Sequence, residues 1–427
     1  MTPAARIAAA IEILTEIGQG NAPADAILAD WFRGHRFAGS RDRRAIRDSV
    51  YADLRTGAFR RWRVAEAGGD PENVRLRVVA GILDEIPDAL ASLFSGEGYG
   101  PRPLNAEETA CAEKMTTLPA DAAPDHARAN CPIDLYPMFE RQWGADAADE
   151  LAAMNETAPV DLRVNTLVTD RGDARARLSA DGYETVSTLF SPHGLRSGIR
   201  GNFQQLGAYR EGMIEPQDES SQLVAMLVDA APGQQVIDYC AGAGGKALAL
   251  AAAAQNAARI VACDSSGARL ARLGPRAERL DVQCIETREV PEDGAPDDLT
   301  GSADRVLIDA PCSGTGTWRR SPDLRWRTRP GTIEEFSRVQ DALLDIAATL
   351  VKPEGRIVYA VCSVLAAEGS ERVEAFLART PAFARVPVSG VFGPDLAGRL
   401  GLGDDLYLTP HRHGTDGMYA AILEKAS

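Results

Sequence analysis

From Gln217 through the last third of the chain, short apolar runs alternate with helical stretches, and no other feature restricts the fold so tightly. QQVIDYC precedes KALALAAAA, ARIVACD precedes ARLARLGPRAERL, and DVQCIE, DRVLIDA, a helix near Ile333 to Leu350 and GRIVYAVC follow. Such alternation predicts a parallel sheet with helices on both faces. In that architecture ligands sit outside the carboxyl ends of the strands. Several chemistry-bearing residues fall at those ends: a glycine-rich turn after VIDY, Asp264 after IVAC, Asp309 to Cys312 after RVLI, and Cys362 after IVYAV.

At 427 residues the chain exceeds one ordinary core, so two or three domains are expected. Residues 1–130 are read as an all-helical module with its linker. AARIAAAIEILTEI, ADAILADWFRGHRF, RDRRAIRDSVYADLRTGAFRRW and NVRLRVVAGILDEI all space apolar residues three to four apart. The Gly-, Pro- and Ala-rich stretch 95–130 predicts a hinge or loose connection. Residues 131–215 open with a helical stretch and continue with LRVNTL, TVSTLF and GMIEP as strand-like pieces, which together predict a small α+β domain. Residues 216–427 form the alternating domain.

A formal charge of −15 ordinarily opposes a nucleic-acid partner. Its distribution matters more than the total. Between Arg33 and Arg63 there are ten arginines against three acids, and Arg319 to Arg329 adds five against Asp323 alone. A solvated helix face is the plain alternative for the first cluster. With only four lysines in the chain the basic surface is arginine, which suits bidentate phosphate contacts. The seven cysteines form no C-x-x-C pair and none has a histidine at metal-ligand spacing. That usage predicts a reducing cytoplasm, no metal site and no disulfide frame. Neither a signal sequence nor an apolar run long enough for a membrane span is evident, and His411 and His413 read as solvated loop residues.

The turn CAGAGGK lets backbone amides approach a ligand at a helix N-terminus, although its spacing is neither the dinucleotide fingerprint nor the P-loop. Asp264, ending the next strand, is positioned to take both hydroxyls of a ribose. The pair points to an adenosine-bearing ligand such as S-adenosylmethionine; tight helix packing is the other use of Gly242, Gly244 and Gly245. If the strands before Cys312 and Cys362 are neighbours, both sulfurs open into one crevice beside that loop. A thiolate added at carbon 6 of a pyrimidine makes carbon 5 nucleophilic enough to accept a methyl group. Asp309 is placed to spread the charge that develops, and a second thiol serves breakdown of the adduct. Cys111, Cys131, Cys263 and Cys284 read as small buried hydrophobes.

The run DAPCSGTGTWRRSPDLRW, with YAVCSV, CAGAGGK, PQDESSQL, LRVNTL and DGMYAAIL, resembles the RsmB/Sun family of bacterial RNA cytosine-5 methyltransferases. The resemblance is dense over the catalytic half and fainter over the helical module, which resembles a NusB-like RNA-binding domain. It implies a Rossmann-like class I methyltransferase domain, preceded by a small α+β (RRM-like) domain and an all-α domain. It implies S-adenosyl-L-methionine as cofactor and RNA, 16S ribosomal RNA above all, as partner. Cys362 is implied as nucleophile and Cys312 in product release, with Asp309 and Lys246 completing the catalytic set. Cofactor contacts are implied for Cys240, Ala241, Gly242, Ala243, Gly244, Gly245, Lys246, Asp264 and Asp309. Arg163 and Asn165 of the RVNT segment, with Arg319, Arg320 and Arg325, are the expected RNA contacts. The sequence departs from the family pattern where Val361 replaces a threonine before the nucleophile and Ala247 follows Lys246. The family usually has an acid beside the adenine; here QCIETREV offers Glu286 or Thr287 at that position and it is left open. Two other readings compete: an RNA-binding assembly factor that has lost activity, favoured by Val361 and the acidic balance, and a small-molecule methyltransferase, which leaves the helical module, the arginine cluster and the second cysteine unexplained.

Overall fold

The structure, a computed structural model, describes residues 1–427 except 21, 199–200, 202, 292–293 and 295. It divides into two compact units. The first holds Met1–Glu156 with Trp318–Pro330, and the second Thr157–Thr317 with Gly331–Ser427. Among the described residues no helix is long and apolar enough to cross a membrane.

The first unit is helical, led by α1 (Pro3–Gln19), α2 (Ala24–Gly34), α3 (Ser40–Glu66) and α4 (Val74–Glu85). Thr2 caps α1 by accepting from the Ala5 amide, and Pro3 supplies a first-turn residue that needs no donor. Asn73 caps α4 in the same way. The apolar stripes meet in one core that includes Ile13, Leu14, Leu28, Ile46, Val50 and Val79. The loose connection expected over 95–130 is in part ordered helix. Asn105 and Glu108 form a reciprocal capping box, and the helix Ala106–Thr117 behind it buries Cys111, Ala112 and Met115 in the core.

Residues 131–156 pack within this unit too. In the helix Tyr136–Trp143, Phe139 stacks on Trp143 at 5.3 Å and meets Trp318 edge-on at 5.2 Å between ring centroids. The segment Trp318–Pro330 is anchored by Arg325. Its guanidinium donates to the carbonyls of Arg55 (3.1 Å), Asn130 (2.9 Å) and Met154 (3.2 Å) and to Asn155 Oδ1.

The second unit contains two sheets. The smaller is antiparallel in the order β2-β3-β1-β4, with β1 Val160–Val164, β2 Val186–Ser187, β3 Gly194–Ser197 and β4 Ile214–Pro216. β3 was not evident in the sequence. The larger sheet takes β5 (Gln235–Asp238), β6 (Arg259–Asp264), β7 (Ile285–Glu289), β8 (Ala303–Asp309), β9 (Val351–Val361), β10 (Phe383–Val386), β11 (Leu406–Leu408) and β12 (Met418–Lys425). Its order is β10-β12-β9-β8-β5-β6-β7, with β11 on β12. Strands β5 to β9 are mutually parallel as expected. β12 runs antiparallel against β9, β10 and β11, so the sheet is mixed rather than purely parallel. The order reverses at β5 and β8, which places the crevice of a doubly wound sheet beyond their carboxyl ends.

The two sheets lie in one compact unit. Asn165 Nδ2 donates to the carbonyls of Gly212 (3.0 Å) and Leu280 (2.8 Å), tying β1 to the helix Leu273–Arg279. Buried Glu215 on β4 accepts from Arg276 (2.9 Å) and also meets Arg279 of that helix.

Candidate active site

β8 and β9 pair in parallel with Asp309 opposite Ala360, so the two strands finish nearly level. Three residues past Asp309 stands Cys312, and one past Val361 stands Cys362. Their sulfurs lie 3.3 Å apart, close enough for one thiol to donate to the other. Backbone bonds set this approach: the Ala310 amide donates to Ala360 O (2.8 Å) and the Gly316 amide to Cys362 O (3.0 Å). The bond with Cys362, then burial, pushes the Cys312 thiol well above the ordinary cysteine range.

Beside the thiols is a charged cluster. Lys246, in the first turn of the helix Gly245–Ala253, is buried and donates from Nζ to Asp309 Oδ2 at 2.6 Å. Burial works against its charge, but Asp309, Asp238 and Cys362 together outweigh it and the lysine is held above its usual value. Asp238, the last residue of β5, is fully buried with both carboxylate oxygens unpartnered. Burial, then the neighbouring Asp309 charge, raises it to about 7. The sequence reading passed over Asp238. Its signal was an acid ending the strand before the glycine turn.

The glycine turn is shaped by necessity at two points. Gly242 (φ 56°) and Gly244 (φ 80°) occupy the left-handed region, and a Cβ on Gly244 would fall 2.3 Å from Leu273 Cδ1. Asp264 closes the turn by accepting from the Gly242 amide (2.8 Å) and the Ser266 amide (2.8 Å), and it pairs with Arg269 (2.7 Å). Those three contacts use most of the roughly four lone-pair positions of a carboxylate. Cys240 and Ala241 flank the turn, where burial raises the Cys240 thiol. Next to Asp264, a cavity of about 320 Å³ is lined by Gly267, Leu270, Ala271, Gly274, Thr287 and Glu289. Register puts Glu289 opposite Asp264 at the strand end. Glu286 lies three residues back, pairing with Arg259 (3.0 Å) and Arg288 (2.9 Å). Of the two residues left open for the adenine, Thr287 therefore borders this cavity, and Glu289 is an acid the sequence reading missed.

The residues expected to face RNA are mostly interior. Arg325 is wholly buried, its guanidinium spent on carbonyls and lowered by burial to about 9. Arg319 is buried. Asn165 is buried and spent on two carbonyls. Arg163 is enclosed on β1, where burial lowers it to about 10 despite Glu215 nearby. Arg320 is half-buried. The arginine cluster divides: Arg33, Arg36, Arg41, Arg43, Arg44 and Arg47 are exposed, whereas Arg60 and Arg63 are buried. Arg60 donates to Asp53 (3.3 Å) and Arg63 to the carbonyl of Met115 (2.8 Å).

The Val361 side chain lies in the apolar core with Ile357 and Tyr359, in the cluster against which Cys312 packs. The hydroxyls near the pair come from Thr315 and Ser363, 2.9 Å apart. Ala247 is likewise buried among apolar residues. His413 is buried rather than solvated, accepting from the Thr409 amide and bonding Leu400 O, each at 3.0 Å.

A family model described as 16S rRNA methyltransferase RsmB/F matches residues 225–424, and one described as an RsmF/B-like ferredoxin-like domain matches residues 132–197. The probable ribosomal RNA small subunit methyltransferase B of Synechocystis sp. is 35% identical over 303 residues, 68% of this chain and 66% of that relative. The ribosomal RNA small subunit methyltransferase B of Pseudomonas syringae pv. tomato is 35% identical over 293 residues, 67% of this chain and 63% of its own length. The chain thus spans just under two thirds of each relative. The crystal structure of PH0851 is 27% identical with a TM-score of 0.79, covering 100% of this chain and 99% of that one.

Proposed function

Because the chain belongs to the 16S rRNA methyltransferase RsmB/F family, we propose that it transfers a methyl group from S-adenosylmethionine to carbon 5 of a cytosine in small-subunit ribosomal RNA. The observation that carries the reading is the thiol pair, 3.3 Å apart beside the Lys246–Asp309 ion pair. A single structural cysteine would need neither.

The residues present fit the cofactor. Asp238 offers a buried carboxyl without a partner, suited to the cofactor's ammonium group. The cavity bordered by Thr287 and Glu289, with Glu289 opposite Asp264 in register, would take the adenosine. When bound, the cofactor supplies an electrophilic methyl on a sulfonium. The Cys362 sulfur forms the bond to carbon 6 of a cytosine turned out of its stack, which makes carbon 5 the nucleophile. Asp309 accepts from the exocyclic amine, and the Lys246 ammonium behind it offsets its charge. A water molecule acting as base takes the carbon-5 proton, the freed pair re-forms the carbon 5–carbon 6 double bond and the carbon–sulfur pair returns to Cys362 as thiolate, a release that Cys312 assists. The exposed arginines of α2 and α3 hold RNA phosphates, with Arg320 a further contact.

The two cysteine variants differ in kind. Cys362→Ala abolishes both methylation and any covalent RNA adduct. Cys312→Ala still attacks and methylates but stalls, leaving an RNA-linked protein that survives denaturing electrophoresis. An adduct that appears in Cys362→Ala and vanishes in Cys312→Ala reverses the roles; no methyl transfer to deproteinised RNA by the unaltered protein overturns the reading.

A further inference from the structure

One carboxylate ties together the two segments that carry the thiols. Glu368, six residues past Cys362, is fully buried. It accepts from the Ser313 amide (2.7 Å), the Ser313 hydroxyl and the Ser363 hydroxyl (2.6 Å). Ser313 immediately follows Cys312, and Ser363 immediately follows Cys362. Two of these bonds therefore end on the neighbour of Cys312 and the third on the neighbour of Cys362.

The surroundings hold Glu368 in place. Tyr359 Oη donates to the Glu368 carbonyl at 2.6 Å, and Gln340 Nε2 reaches Glu368 Oε1 at 3.5 Å and the Pro311 carbonyl at 2.9 Å. The Val364 amide donates to Thr315 Oγ1 at 3.2 Å, a second link between the same two segments. Burying a carboxylate is costly unless its lone pairs are met. Here amide and hydroxyl donors meet them, and those donors set the register of the two loops.

We propose that Glu368 is a positioning residue for the reaction, holding Cys312 and Cys362 in mutual reach through Ser313 and Ser363. The inference rests on the reading of these thiols as the reacting pair. The same negative charge contributes to keeping Cys312 protonated, after the Cys362 bond and burial.

The test uses the full-length chain in glutathione redox buffers, without RNA or cofactor. Two thiols and one glutathione disulfide yield an intramolecular disulfide and two glutathione thiols, so the oxidised fraction, read by peptide mass mapping, measures the effective concentration of one thiol at the other. Glu368→Gln keeps the size of the side chain, but its amide nitrogen cannot accept. It is expected to lower that effective concentration about tenfold, with circular dichroism unchanged. Ser313→Ala and Ser363→Ala each lower it less. In methylation assays Glu368→Gln lowers kcat and leaves KM for S-adenosylmethionine unchanged. A folded Glu368→Gln that closes the disulfide as readily as the unaltered chain overturns the proposal. Should that variant not fold, wild-type behaviour of both serine variants overturns it equally. Because the thiol readout needs no methyl transfer, intact coupling in a chain that never methylates RNA counts against the proposed function instead.

Discussion

Asp238 shows how one side chain trades stability for a binding site. A carboxyl raised to about 7 by burial and by Asp309 holds its proton in the folded chain over a range where the unfolded chain, near 3.9, has given it up. The folded state then binds more protons, so stability falls as pH rises from about 4 through about 7. Asp238→Asn removes that dependence. Without cofactor, its melting temperature should match the unaltered chain near pH 4 and exceed it at pH 8, a difference on the order of a few kcal/mol. Parallel melting curves at the two pH values would show that the carboxyl is not perturbed. S-adenosylmethionine should bind the variant more weakly, since an amide offers its ammonium no charge.

Among the elements, α3 has two halves with different uses. Arg41, Arg44 and Arg47 are three residues apart and exposed, which places them along one strip of the helix. Arg60 and Arg63, further along, are buried and bonded. Replacing the three exposed arginines by alanine should leave the fold intact and weaken RNA binding. It should flatten the dependence of log affinity on log salt by about 0.7 to 0.9 for each phosphate no longer neutralised. An unchanged slope in binding titrations would leave the strip as a solvated face. The parallel strands and the residues at their ends are legible because strand-end turns need particular residues: glycines at 242 and 244, acids at 264 and 309, thiols at 312 and 362. β10 to β12 are not, because an antiparallel return has no glycine turn or crossover helix to announce it. Nor is the burial of Arg325. A periodicity reading counts arginine as surface, and a partner 195 residues away, Asn130 O, leaves no local trace.

At the scale of the whole molecule, the chain leaves the helical unit after Glu156, returns to it for Trp318–Pro330 and leaves again. A fragment of residues 157–427 would carry Trp318 and Arg325 without Phe139, Asn130, Met154 and Asn155, their partners in the intact chain. It should aggregate or bind a hydrophobic dye in size-exclusion and fluorescence measurements, where the full-length chain does neither. A monomeric fragment that ignores the dye would show that the returning segment is dispensable. Order of synthesis gives this threading a further consequence. About 160 residues separate the first part of the helical unit from its last piece, and at about 5 to 20 residues per second a ribosome needs on the order of ten to thirty seconds to make them. For that interval the nascent helical core lacks Trp318 and the Arg325 anchor, and the site that will receive them is open to chaperones and proteases.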